Sequence, residues 1–465
     1  MSEAMNKAGH KEQTFHWAWV ILTICFFDLF INYSIRLGYG VILPEMIRDL
    51  GFTRTAAGSI FNAYLFTYIA FTPLAGYLTD RIGARRVITV CLLILSTGIL
   101  LMGTVRSLSE AFLFYAVAGL GATGLWTPVI TVVQRWFAPT HRGRALGVLS
   151  TGYGLGFAAM GVFFPWVVHA FSWRYAWYFL GLGASAMAVL NGFLLRSDPA
   201  SAGRRPWGAG ETVNGGVSAA ADTPERGFAE EVLRNRSFWL IGLSYLCISY
   251  SLYGITTFMV DYAKDEIGLS LERASLLATV HGICQVAGVL TILPLSDYLG
   301  RKKTILLSNL FITVAITGIL FSSGAWMALC ISVGMMAVFY GVTFPIYGAC
   351  AGDYFPGKWM GTVIGAWTPF YGLGAILAHW AGGMLRDASG SYSGAFMINM
   401  VLAGLAFLLF CGVGNKGKEE DGKIGSCEGI ILKGVEKYFS PGCSKTFRCK
   451  ARKTRGMRRT WTYVE

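Results

Sequence analysis

Between Trp17 and Phe410 the chain alternates long apolar runs with short polar joints, many of them marked by glycine, proline or charge. The runs are close to the roughly 20 residues an α-helix needs to cross about 30 Å of hydrocarbon at about 1.5 Å per residue. The pattern predicts helical spans 1 to 12 over 17–43, 55–79, 87–105, 109–133, 144–168, 173–195, 238–260, 271–296, 303–322, 326–350, 359–385 and 393–413. The first sixteen residues are polar. The run after them exceeds the roughly 7–15-residue core of a cleavable signal peptide, so it is expected to stay as span 1.

Composition excludes a soluble globule. With 54% hydrophobic and only 14% charged residues, too little polar surface exists to cover a sphere of this size, and the excess apolar surface must face lipid. The ten cysteines fall mostly one to a span (Cys25, Cys91, Cys247, Cys284, Cys330, Cys350, Cys411). None has a metal or disulfide spacing, so they read as small packing residues, and no cofactor or metal is expected. No nucleophile–base pair appears either, which argues against an enzyme.

Orientation follows from lysine and arginine, which stay on the cytoplasmic side of short loops. With both termini inside, the cytoplasmic segments up to residue 413 hold 18 of them and the external ones 7. A multi-pass protein of a cell membrane, inner or plasma, with cytoplasmic ends is expected. Of the net charge of +13, 7 belongs to the tail after residue 413, so no folded basic face for nucleic acid is implied. Segment 414–465 reads as a basic, disordered cytoplasmic tail, either resting on anionic lipid or without a role.

Between Arg196 and Arg236 the pattern breaks into Asp-Pro, Gly-Arg-Arg-Pro and Gly-Gly. This hydrated linker, 196–237, separates a six-helix half at 17–195 from another at 238–413, after a cytoplasmic N-terminus at 1–16. Punctuation repeats between the halves. Asp80 in Leu-Thr-Asp-Arg-Ile-Gly-Ala-Arg-Arg corresponds to Asp297 in Leu-Ser-Asp-Tyr-Leu-Gly-Arg-Lys-Lys, 217 residues on. Trp136-Phe137-Ala138-Pro139 with Gly143 matches Tyr354-Phe355-Pro356 with Gly361 at nearly the same offset. Two loops sharing one period point to duplication.

The stretch Gly76-Tyr-Leu-Thr-Asp80-Arg81-Ile-Gly83-Ala84-Arg85-Arg86 resembles the signature loop of the major facilitator superfamily of secondary transporters. That resemblance covers residues 15 to 413. It implies an all-α membrane protein of twelve transmembrane helices in two pseudo-symmetric six-helix bundles that rock about a midplane site. Ala84 stands where the family has its second arginine, leaving open whether Arg85 or Arg86 takes the later role. The echo keeps Asp297, Gly300 and Arg301 but has no glycine four residues before its aspartate. Gly76, Asp80, Arg81, Gly83, Arg85, Asp297, Gly300 and Arg301 are therefore expected to gate. Glycine permits close helix approach, and an aspartate pairs with a cation or caps a helix of its own half. Simple positive-inside bias remains the alternative for the arginines.

Charges inside spans are costly and usually face a cavity. Asp28, Asn32 and Arg36 on span 1 are spaced i, i+4, i+8 and share one face. Arg36 precedes Pro44 much as in the first helix of organic-anion facilitators, where an arginine precedes a helix-ending proline, and monocarboxylate transporters place a lysine in a comparable region. A guanidinium suits a carboxylate because it grips it through two parallel hydrogen bonds. The alternatives are that Arg36 snorkels to the outer interface or pairs only with Asp28. His281 and Gln285 on span 8 and His379 on span 11 are further candidates. Oxalate–formate exchangers, resembled in Trp136-Phe137 through Arg142-Gly143-Arg144 and in Trp173-Arg174, carry cations on those two helices. The neutral or titratable residues here favour a single carboxylate over a dianion. Tyr250, Tyr253, Tyr340, Tyr347, Trp367 and Tyr371 lie at helical spacing and could wall the cavity or simply pack.

The lead expectation is a monomeric, proton-coupled transporter of a small organic anion, a monocarboxylate, with Arg36 and Asn32 at the substrate and Asp28 or His281 carrying the proton. An anion exchanger of the oxalate–formate type, with a counter-anion in place of the proton, is the alternative. A ligand sensor that does not transport is a weaker one. Tyr115, where drug exporters of this superfamily have an arginine four residues before Gly119, speaks against drug efflux.

Overall fold

The computed structural model describes residues 16–209, 228–322, 324–356 and 359–414. The chain divides into two compact units, Met1–Gly414 and Asn415–Glu465. The second lies outside the described residues, and with it the expectation for the tail; residues 1–15 and 210–227 of the N-terminus and linker do too.

Span 1 is two helices, Trp17–Arg36 and Tyr39–Leu50; span 2 is Arg54–Ile82; span 3, Ala84–Met102; span 4, Leu108–Ala122 and Thr127–Trp136 joined by a 3-10 turn; span 5, Pro139–Ala170; span 6, Trp173–Leu194. Spans 7 to 12 are Arg236–Asp261 with a π-helical turn at Tyr262–Glu266, Leu271–Leu299, Arg301–Leu320, Trp326–Tyr354, Met360–Ser389 and Ser393–Cys411. No β-strand occurs among the described residues. Eleven of these stretches are long and apolar enough to cross a membrane. Span 2 matches them in length, but Asn62, Thr67, Tyr68, Thr72 and its terminal charges dilute its apolar character.

Side-chain caps place several starts: Thr53 accepts from the Ala56 amide, and Ser107 with Glu110 forms a reciprocal capping box. Gly83 and Gly300 hold φ of +89° and +85° at the equivalent joints after spans 2 and 8. Residues with a Cβ resist that conformation, which explains why both repeats have glycine there. One expectation needs correcting. Pro44 does not end span 1: the helix breaks at Leu37 and Gly38, restarts at Tyr39, runs through Pro44 and stops at Gly51, whose φ of +67° forms a left-handed cap.

The two bundles meet along spans 1 and 7, 2 and 11, and 5 and 8. The seam is closed at the end that holds Glu45, Arg54 and Asp387. A Cβ on Gly58 would stand 2.5 Å from the His379 carbonyl oxygen, and one on Gly154 2.8 Å from that of Gly282. Backbones come this close only because these residues lack side chains. Toward the other end, which holds Asp80 and Asp297, Gly76, Gly147, Gly361 and Gly365 have nothing within 4 Å of a Cβ position.

Candidate functional site

Arg36 is the last residue of its helix, at the break that precedes Gly38. Carbonyls of a helix C-terminus carry partial negative charge and favour a cation there. Only 6% of Arg36 is exposed, which excludes snorkelling to an interface. Its Nη2 donates to the Tyr253 hydroxyl at 2.6 Å across the seam. The guanidinium carbon lies 4.9, 5.7 and 5.8 Å from the ring centroids of Tyr68, Tyr253 and Tyr33. Nε has no partner, and no carboxylate pairs with the group among the described residues. The cation is thus held by tyrosine rings and hydroxyls.

Asp28 does not neutralise it. Its Oδ1 accepts from Asn191 Nδ2 of span 6 at 2.7 Å, while Oδ2 and Asn191 Oδ1 lack partners. Asn32 accepts from Tyr64 of span 2 at 3.4 Å. Steps of four residues advance about 40° around a helix, so the shared face fans out toward spans 6, 2 and 7.

Aromatic rings continue around Arg36 from both halves. Tyr33 lies 5.3 Å from Tyr153 and 6.3 Å from Trp126, Trp126 is 5.3 Å from Phe344, Phe344 is 6.1 Å from Tyr371, and Tyr371 is 5.8 Å from Tyr253. Of the expected wall, Tyr253 and Tyr371 belong to this ring. Tyr340 of span 10 lies edge-on to His281 at 5.1 Å. Three others lie outside this ring, Tyr347 next to it, stacked at 4.6 Å on Tyr245, which is itself 4.6 Å from Tyr371. The Tyr347 hydroxyl meets Ser244 at 2.7 Å and Asn309 at 3.0 Å; Trp367 donates to the Phe238 carbonyl at 3.1 Å; the backbone of Tyr250 packs at Gly374. Buried hydroxyl and indole groups require partners, and the first two find them within their own bundle.

His281 and Gln285 are buried, and neither ring nitrogen of the one nor amide atom of the other has a partner. His379 instead bridges the halves: Nδ1 meets Asn62 Oδ1 and Nε2 meets Thr257 Oγ1, each at 2.9 Å. Asn62 Nδ2 is already given to the Ile376 carbonyl, so Asn62 accepts from the histidine.

At the expected gate, Asp80 is 78% exposed and stands 3.8 Å from Arg135 of span 4. Arg85, of the two arginines left open, reaches the Gly192 carbonyl of span 6. Arg81 lies over Tyr77, and Asp297 pairs with Arg301 of its own loop. The expectation that Gly76 lets a helix approach closely is not met here, since the surrounding space is open.

Sequence reasoning missed the polar lock at the closed end. Arg54 bonds Asp261 at 3.2 Å and Asp265 at 2.6 Å, and Arg386 bonds Asp265 at 2.7 Å. The amides of Arg54 and Thr55 donate to Asp387 at 2.9 and 2.8 Å, and Lys264 pairs with Glu45. The π-helical turn Tyr262–Glu266, which follows Asp261, gathers Lys264, Asp265 and Glu266 in one place. A signal was present: Arg54, Lys264 and Arg386 are basic residues in joints that the lysine and arginine count predicts to be external, where few are expected.

The sequence profile described as the Major Facilitator Superfamily matches residues 22–270 and 241–441. A hexuronate transporter from Bacillus subtilis is 26% identical over 402 residues, covering 82% of this chain and 91% of its own. A probable sulfoacetate transporter from Cupriavidus necator is 25% identical over 405 residues, 84% and 92% of the two chains. A D-galactonate transporter from Escherichia coli is 22% identical over 418 residues, 85% and 95%. Among solved structures, a bacterial homolog of the human lysosomal transporter Spinster superposes with a TM-score of 0.66 at 15% identity, covering 86% of this chain and 98% of that one. The nucleoside transporter NupG gives 0.68 at 12%, covering 86% and 100%. At such identities the likeness is one of fold.

Proposed function

This chain belongs to the Major Facilitator Superfamily, and on that premise we propose that it carries a small organic anion across the membrane by alternating access, with Arg36 gripping the carboxylate. One observation carries the reading. A guanidinium stands buried on the seam between the halves with its Nε unpartnered and no carboxylate beside it. A buried charge without a counter-ion is costly, so the site is built for an anion supplied from outside the chain. The names of the relatives, transporters of hexuronate, sulfoacetate and D-galactonate, support an anionic substrate.

The lysine and arginine count puts the Asp80 end in the cytoplasm and the locked Glu45 end outside, in a cell membrane with both termini inside. On that orientation the structure is the inward-facing state. Opening outward requires the Arg54, Asp265 and Arg386 lock to part and a new contact to form between the loops of Asp80 and Asp297. The transporter works as a monomer, since the seam that rocks lies within one chain. A proton is the coupling ion in this reading and Asp28 its carrier: the carboxyl is wholly buried on span 1, with an amide rather than a cation beside it.

Uptake of labelled carboxylates into proteoliposomes tests the proposal. The parent chain accumulates at least one carboxylate in a manner that a protonophore collapses, and Arg36→Gln does not. Equal uptake by Arg36→Gln would refute the role of Arg36. Uptake that ignores the protonophore but needs an internal counter-anion would replace the proton with exchange.

A further inference from the structure

Two side chains on adjacent turns of span 8 have no partner in the fold. His281 is 0% exposed and Gln285 1%. Both ring nitrogens of the first and both amide atoms of the second lack hydrogen bonds among the described residues. Buried side-chain polar atoms are nearly always satisfied, so four orphans on adjacent turns require an explanation.

Their position supplies one. The His281 ring stands edge-on between Phe157 of span 5, at 5.2 Å, and Tyr340 of span 10, at 5.1 Å. Gln285 backs onto Gly341, where a Cβ would lie 3.1 Å from its Cγ. The Gly341 carbonyl in turn accepts from the Tyr153 hydroxyl at 2.7 Å. Tyr153 lies 5.3 Å from Tyr33, whose ring faces the Arg36 guanidinium at 5.8 Å. A short run of contacts therefore joins the orphans to the fixed cation across the seam. Arg36 comes from the N-terminal half and the orphan pair from the C-terminal half.

We infer that His281 and Gln285 form a second, uncharged pole of the substrate site, and that this pole takes hydroxyl groups: the substrate is a hydroxylated monocarboxylate. The inference rests on the reading of Arg36 as the carboxylate anchor. A neutral imidazole offers one donor and one acceptor, and an amide offers two donors and an acceptor oxygen. A hydroxyl also both donates and accepts, so neighbouring hydroxyls satisfy all four atoms. A second carboxylate only accepts, and would leave the imidazole and amide acceptors facing its own lone pairs. An imidazolium to receive it would add a second uncompensated buried charge to the empty site, beyond that of Arg36. An alkyl chain would leave every orphan as it is. A site built to bond hydroxyls discriminates strongly against analogues that lack them, because its own groups are then left unpaired.

The test is equilibrium binding to the purified full chain in detergent, with matched sets at two chain lengths: glycerate, propionate and malonate; gluconate, hexanoate and adipate. In at least one set the hydroxylated monocarboxylate binds tenfold or more tighter than its alkyl and dicarboxylate counterparts. The double variant His281→Phe with Gln285→Leu erases the difference between the hydroxylated and the alkyl acid, and Arg36→Gln weakens every anion. Alkyl or dicarboxylate binding as tight as that of the hydroxylated acid in both sets would overturn the inference without needing any variant. So would a double variant that keeps the preference. If instead Arg36→Gln binds the parent's preferred anion undiminished, or the parent binds none of the six, the carboxylate anchor itself falls and the second pole with it.

Discussion

Asp28 and Arg36 lie on one face of the same helix and yet do not meet: Asp28 bonds Asn191 of span 6 at 2.7 Å, and Arg36 bonds Tyr253 of span 7 at 2.6 Å. In the proposed function the separation gives the two groups different work. A salt bridge between them would cancel the cation before a substrate arrived. As built, the acid is held inside the N-terminal half and the cation stands on the seam.

That division predicts that Asp28→Asn abolishes accumulation driven by a pH gradient while leaving carboxylate binding within about twofold of the parent. An uncharged amide can keep a hydrogen bond with Asn191 but cannot carry a proton. Uptake with and without an imposed gradient, beside binding in detergent, separates the two effects. Unchanged gradient-driven uptake would remove Asp28 as carrier.

The polar lock predicts a shift of conformation. Arg54 contributes hydrogen bonds to two carboxylates, and bonds to charged groups are worth about 1.5–3 kcal/mol each, less where exposed. Arg54→Ala should therefore raise the open population at that end by roughly tenfold or more. Labelling of a Thr257→Cys reporter by an impermeant thiol reagent measures it. No change in labelling rate would mean that the lock does not hold the seam.

Gly58 offers a steric test of the same closure. A Cβ there would fall 2.5 Å from the His379 carbonyl, whereas one at Gly76 meets nothing within 4 Å. Gly58→Ala should disfavour the closed seam and slow transport, and Gly76→Ala should leave this state unaffected. Thermal stability and thiol accessibility of both variants check the contrast. Equal behaviour would contradict it.

Asp80 is mostly exposed and 3.8 Å from Arg135, so its removal should cost at most about 1 kcal/mol of stability. In the proposed cycle it acts in the other conformation. Asp80→Asn is expected to insert and purify like the parent but to transport several-fold more slowly. Normal rates in a well-inserted variant would argue against a gating role.

Much of the architecture was legible because lipid imposes it. Apolar length fixed the spans, and the glycines at 83 and 300 marked joints that only glycine adopts. Arg36 stood out because a charge in a span is rarely without purpose. The partners were not legible. That Asp28 faces Asn191 depends on which side span 6 presents, and the Tyr347 hydroxyl turns to Ser244 and Asn309 through packing between spans remote in sequence. Helical spacing alone placed Tyr347 and Trp367 with Tyr371, although only Tyr371 belongs to the ring around Arg36. Pro44 misled for a related reason. A helix that has restarted at Tyr39 tolerates the proline, and the break was set by Leu37 and Gly38 instead.

Carboxylate binding to purified Arg36 variants in detergent tests the central claim most directly, since it separates binding from coupling and orientation. Arg36→Lys keeps the charge but loses the two-pronged geometry, and should weaken binding by about 1–3 kcal/mol, or roughly tenfold to a hundredfold. Arg36→Gln should bind more weakly still, leaving a carboxylate unpaired among Tyr33, Tyr68 and Tyr253. If Arg36→Gln binds carboxylates as tightly as the parent chain, the organic-anion account is contradicted.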